Sequence, residues 1–138
     1  MTIGSEVARL VGSALGIGVM SAALLAVPQV TLARHGGGGA VSNTGTCSGS
    51  TTTRIKAKPD NGGLEVEFEV DSNRSGQTWH VVLKRDGSNF FSGNRMTQPP
   101  SGSFDLSRRT ANPAGSNTLT GRATNAVTGE VCRAQVTL

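Results

Sequence analysis

The chain has 138 residues, a net charge of +4, one Trp, no Tyr and four Phe. That charge is ordinary for a soluble protein: it attracts anionic surfaces weakly and gives no ground for a nucleic-acid partner. So few aromatic residues support only a modest core, which a covalent cross-link would help to hold.

The N-terminus is read apart from the fold. After Arg9, an apolar run rich in Ala, Gly, Leu and Val extends from Leu10 to Val27 and ends at Pro28. Thr31, Leu32 and Ala33 then place small residues at the −3 and −1 positions of a cleavage site, the pattern of a secretory signal peptide over residues 1–33. An uncleaved membrane anchor is the competing reading, because the 18-residue run is near the minimum length for a span. Either way the remainder is exported, and the expected location is outside the cell, free of the membrane once cleaved. Removing residues 1–33 deletes one base and one acid, so the charge stays at +4. Residues 34–46 include four consecutive glycines, show no periodicity, and are expected to be a flexible leader.

Residues 47–138 are expected to form the folded domain. In an exported chain, two cysteines read as one disulfide, Cys47 to Cys132. Closing so long a loop is worth about 4.5 kcal/mol in the chain-entropy model. Such a bond requires the two Cα atoms to lie roughly 4.4–6.8 Å apart.

The segments after Cys47 read as short strands. Thr51–Lys58 turns Thr53, Ile55 and Ala57 inward and Arg54, Lys56 and Lys58 outward. The cluster from Pro59 to Gly63 is a turn. The most regular stretch follows: Leu64, Val66, Phe68 and Val70 alternate with Glu65, Glu67 and Glu69. With a side-chain period of two, one face is apolar and the other carries three carboxylates. Asp71–Gln77 is a longer polar connection. In Thr78–Arg85, Trp79, Val81 and Leu83 share one face and His80, Val82 and Lys84 the other. Asp86-Gly87 fits a two-residue hairpin turn, and Asn89–Arg95 follows with Phe90 and Phe91. Thr97–Gly102 breaks the pattern. Ser103–Arg109 points Phe104 and Leu106 inward, and a last hairpin joins Asn117–Ala126 to Glu130–Leu138, where Cys132, Ala134, Val136 and Leu138 share a face. Seven short strands with regular turns predict an all-β, immunoglobulin-like antiparallel sandwich.

The chain from Cys47 onward also resembles a group of small secreted actinobacterial proteins with an Ig-like domain. The resemblance is carried by Lys58–Asp60, Leu64–Asp71, Gly76–Trp79, Ser101–Phe104 and Thr128–Cys132, and so spans most of the domain. It implies export, an Ig-like fold and the disulfide, and brings no catalytic residues. Antibody-type domains link strands B and F, whereas these cysteines sit at the first and last strands.

Two sheet faces carry candidate chemistry. If the first, second and fifth strands share a sheet, Glu65, Glu67 and Glu69 lie between Arg54, Lys56 and Lys58 on one side and Asp105 and Arg109 on the other. A carboxylate ladder could hold Ca²⁺ or do acid–base work, but cross-strand ion pairing on a solvated face is the simpler expectation. The opposite sheet gathers His80, Lys84, Arg95, Arg122, Arg133 and Gln135 with several threonines, and Val82 and one of the Phe90/Phe91 pair as apolar relief. This is the expected binding face, for an anionic envelope polymer or a protein. A copper site from His35 and His80 lacks preorganised ligands, and no serine sits in a nucleophile elbow. The sequence therefore predicts a monomeric, non-enzymatic binding module without cofactor or metal. Its alternatives are an inhibitor of secreted proteases, using Asp71–Gln77 and Thr97–Gly102, and a small metal carrier or enzyme.

Overall fold

The computed structural model describes residues 39–138; the expected signal peptide, residues 34–38 of the leader, and His35 lie outside them. Nine strands and no helix occur among the described residues. They are β1 (Val41–Thr44), β2 (Thr46–Cys47), β3 (Thr52–Asp60), β4 (Gly63–Asp71), β5 (Thr78–Arg85), β6 (Ser88–Met96), β7 (Ser103–Ala111), β8 (Thr118–Asn125) and β9 (Val131–Thr137). Two antiparallel sheets result: one of four strands in the order β1-β3-β4-β7, and one of five in the order β2-β9-β8-β5-β6. Strands β3, β4 and β7 therefore share a sheet, as expected of the first, second and fifth.

Alternation explains how the two sheets meet. In β4, Leu64, Val66, Phe68 and Val70 are fully buried, with Ile55 and Ala57 of β3 and Phe104 and Leu106 of β7 on the same side. The five-stranded sheet answers with Trp79, Val81, Leu83, Leu119, Ala123, Cys132, Ala134 and Val136, and all of these form one apolar cluster. Two layers share one core, a sandwich-like arrangement. Burying side chains of this size is worth about 1.5–3 kcal/mol each before the opposing chain entropy.

Turn chemistry fixes the register. Asp60 pairs with Gly63 and Arg85 with Ser88, leaving Asn61-Gly62 and Asp86-Gly87 as two-residue loops with positive φ at every position. That is the backbone a type I′ hairpin requires. At the β8–β9 turn, Asn125 Oδ1 accepts from the Val127 and Thr128 amides.

The leader needs correction. Val41–Thr44 pairs antiparallel with β3, and Thr46–Cys47 pairs antiparallel with β9. One extended segment thus begins in the four-stranded sheet and ends in the five-stranded one, crossing at Gly45. The Gly45 amide still donates to the Thr53 carbonyl, 2.9 Å away. A side chain at Gly45 would run into the Arg133 carbonyl and the Ala134 Cβ, so only glycine fits this crossing.

Cys47 and Cys132 are bonded, and they are direct register partners between β2 and β9. The Ser48 amide donates to the Val131 carbonyl beside them, which places them at a non-hydrogen-bonded position, where opposed Cα atoms are closest. Their Cα separation of 4.0 Å lies below the expected range for that reason. The bond closes an 85-residue separation within one sheet and fastens the N-terminal segment to the last strand.

The connections Asp71–Gln77 and Thr97–Gly102 do not protrude separately. The Ser72 amide donates to the Gly102 carbonyl, the Gly76 amide to Thr97, and the Thr97 amide to Gln77. The Thr97 and Ser72 hydroxyls both donate to the Arg74 carbonyl. They form one braced unit at one end of the sheets.

Candidate functional site

The outer face of the four-stranded sheet is an ion-pair ladder. Register sets Arg54 opposite Glu69, Lys56 opposite Glu67 and Lys58 opposite Glu65. Each pair closes, at 3.3, 3.0 and 3.3 Å respectively. Every glutamate thereby has a cation of its own, and Arg109 turns to Asp60 at the end of the hairpin. The three glutamates, already matched one to one on an open face, offer no converging set for Ca²⁺. Cross-strand pairing is what this face does.

The five-stranded sheet is built differently. Its five strands contain no Asp or Glu at all. On its outer side, Arg133 stands directly opposite Arg122. Arg122 stands opposite Val82, and Thr120 is shared between Gln135 and Lys84. Among the described residues, five ion pairs take up Arg54, Lys56, Lys58, Arg85 and Arg109, and Lys84, Arg122 and Arg133 are outside them, as are Arg74, Arg95 and Arg108.

These side chains surround a concavity of about 540 Å³. Its floor is Val82, Thr120, Gly121 and Arg122; Arg133, Ala134 and Gln135 flank it, and Lys84 and Asn89 close the far side. Asn43, Thr44, Gly45 and Thr46 make its wall, held by a 3.0 Å bond from Asn43 Nδ2 to the Gln135 carbonyl. The lining is therefore cationic at three points and carries amide and hydroxyl groups between them, while most of its exposed surface is carbon. Sequence reasoning missed Asn43, Thr46 and Asn89, because the wall was assigned to a leader and Asn89 to a strand end.

Of the six expected face residues, Lys84, Arg122, Arg133 and Gln135 line the concavity, and His80 lies on the same face one rung away, opposite Thr124 and Asn94. Arg95 does not belong there. The β5–β6 register shifts between Leu83 and Lys84, so Phe90 is an extra residue and the alternation beyond it inverts. Arg95 then pairs with buried Trp79 and faces the other sheet. Its guanidinium lies 5.1 Å from the Phe91 ring centre, and Arg108 of β7 lies 4.6 Å from it. Phe90 and Phe91 both pack on the core, and neither relieves the outer face. The Phe91 pairings instead close one flank between the sheets.

His80 is not isolated. Its Nδ1 is 3.1 Å from Asn94 Oδ1, and its Nε2 is 3.4 Å from Ser92 Oγ. Nucleophile, base and orienting amide occur here in the order a hydrolase uses. However, strand amides point along the sheet plane into the ladder, so the face offers no pair of donors for an oxyanion. The one three-residue group of metal-ligating type among the described residues is Cys47, Glu130 and Cys132. Both of its sulfurs are consumed in the disulfide, and Glu130 accepts from the Thr51 amide and hydroxyl.

No protein-family model and no curated protein matches the chain.

Proposed function

We propose that the chain is an exported, monomeric, non-enzymatic Ig-like module that binds an anionic polymer of the cell envelope on the outer face of its five-stranded sheet. One observation carries this reading: Lys84, Arg122 and Arg133 ring a concavity on a sheet whose strands hold no acidic residue. A cation without a neighbouring carboxylate keeps its field for a ligand, and a concave low-dielectric wall focuses it. The Ig-like reading is supported by the sheet order, in which β3, β4 and β7 form one layer while β9, β8, β5 and β6 form the other. The disulfide is compatible with an oxidising, extracytoplasmic compartment.

The test is retention of the purified protein on cell-wall material and on anionic and neutral polysaccharide matrices. Retention on the anionic matrices at low salt, falling steeply as salt rises, is expected; release by K84Q/R122Q/R133Q would locate the site. No retention on any anionic matrix at low salt overturns the reading, and selective capture by one secreted acidic protein would move it to a protein partner.

Protease inhibition, the second binding reading, draws on the braced loops, since rigid loops lose little entropy on binding. Exposed Arg74 is their basic residue, yet its carbonyl already accepts from Thr97 and Ser72. A substrate-like inhibitor must leave that oxygen free for the protease's oxyanion donors. Inertness against a panel of secreted proteases is therefore the expected result.

A further inference from the structure

We infer that Arg122 and Arg133 form a two-guanidinium clamp for the phosphate groups of a phosphodiester-linked polyol or sugar chain; this rests on the binding face proposed above and names the chemistry it recognises. The first ground is the register. Arg122 and Arg133 are direct cross-strand partners, and like charges placed directly opposite one another destabilise a sheet. On the other sheet, every basic residue of β3 faces a carboxylate across the β3–β4 ladder. Glu69 and Asp105 also stand directly opposite one another, but Arg54 pairs with Glu69 at that rung. The Arg122–Arg133 rung has no acidic residue on its sheet to offset it, and a bound anion removes its repulsion.

The second ground is the shape of the acceptor. The lone pairs of a carboxylate lie in one plane, whereas the two non-bridging oxygens of a phosphodiester sit on a tetrahedral centre with lone pairs all round, so two planar forks can approach one group from different sides. Lys84 lies two residues along β5 from Val82, which is the register partner of Arg122. That diagonal is about 7–8 Å, so a point charge waits for the next phosphate on the same chain.

The third ground decides between phosphodiesters. Single-stranded nucleic acid is held by stacking bases on aromatic side chains. Here Trp79 is wholly buried, Phe90 and Phe91 pack on the core, and Val82 is the apolar residue of the concavity floor. Around it, Asn43, Thr46, Asn89, Thr120 and Gln135 offer amides and hydroxyls on a lining whose exposed surface is mostly carbon, which suits the hydroxyls and methylenes of a polyol rather than a flat base.

Binding to poly(glycerol phosphate), polygalacturonate and oligo-dT of matched charge is measured by titration calorimetry at fixed low salt. Poly(glycerol phosphate) is expected to bind at least tenfold tighter than either of the others. The variant R122K/R133K, which keeps both charges but loses both forks, is expected to weaken that binding by tenfold or more while leaving polygalacturonate within threefold. Its melting curve verifies that it is folded; both residues are exposed, so the fold tolerates the change. Equal affinity for the phosphate and carboxylate polymers, or no effect of R122K/R133K, overturns the clamp and leaves the anionic face standing. Tighter binding of oligo-dT overturns the polyol assignment. Failure to bind all three overturns the clamp and the face together.

Discussion

Phe68 of β4 lies against the backbone of Gly121 in β8, in the space a Cβ there would occupy. The glycine is thus a socket by which the four-stranded sheet seats its largest β4 side chain on the five-stranded one. Gly121→Ala is expected to lower stability by about 1–3 kcal/mol, the usual cost of overpacking a filled core. Urea denaturation measures it, and Phe68→Leu placed on top of Gly121→Ala should recover part of the loss. Strict additivity of the two changes would show that the contact is not the cause.

The disulfide is the next site at which stability can be read. Cys132→Ser, or reduction, is expected to cost ~2–5 kcal/mol and to free β2, which has only two residues of pairing otherwise. A thermal melt with and without reductant, followed by limited proteolysis, checks both parts. New cleavage between residues 40 and 50 is the expected pattern, and an unchanged melt contradicts it.

Crossing between sheets at Gly45 gives a separate prediction. Gly45→Val would drive a side chain into Arg133 and the edge of the core at Ala134, detaching the segment without replacing a core residue. Hydrogen exchange should accelerate across residues 41–47 and leave β4 and β5 protected. Uniform loss of protection would mean that the segment unfolds with the whole domain.

Removing one rung of the ion ladder should do little. Lys56 and Glu67 are more than a third exposed at their side chains, and such pairs contribute roughly 0.2–1 kcal/mol. Lys56→Gln is therefore expected to shift the urea midpoint only slightly, with the difference vanishing at high salt. A loss several times larger would assign the ladder a role beyond solvated pairing.

Ser92 provides a check on the proposal that the module is not an enzyme. With no oxyanion donors on its sheet face, it is expected to resist a fluorophosphonate probe, and esterase substrates should turn over at the same rate with wild type and His80→Ala. Covalent labelling of Ser92 that His80→Ala abolishes would reverse the assignment.

Much of this architecture is legible in the chain because it is written in local patterns. The alternation from Leu64 to Val70, the turns at Asn61-Gly62 and Asp86-Gly87, and the charges of β3 against β4 each fix a strand, a hairpin or a register by themselves. What escapes has no local signature. Val41–Thr44 offers one apolar side chain and follows a glycine run, so its pairing is decided by the space beside β3 rather than by its own sequence. Arg95 was misplaced because the bulge at Phe90 inverts the alternation, and a bulge of this kind carries no distinguishing residue. The concavity required the first of these errors to be corrected, since its wall is the supposed leader; Asn89, opposite Lys84 beside the hairpin turn, faces it in the register the turn itself sets.

Cys47 neighbours Thr46, part of the wall, and Cys132 neighbours Arg133, part of the clamp. The cross-link is thus a hinge pin for the site as well as a brace for the domain. A ligand spanning wall and clamp binds the oxidised form better than the reduced one, and linkage makes the preference reciprocal. Occupied protein should then resist reductant by the same factor by which reduction weakens its grip, so a ligand across wall and clamp would be held fast while the thiols stay oxidised and let go once they are reduced.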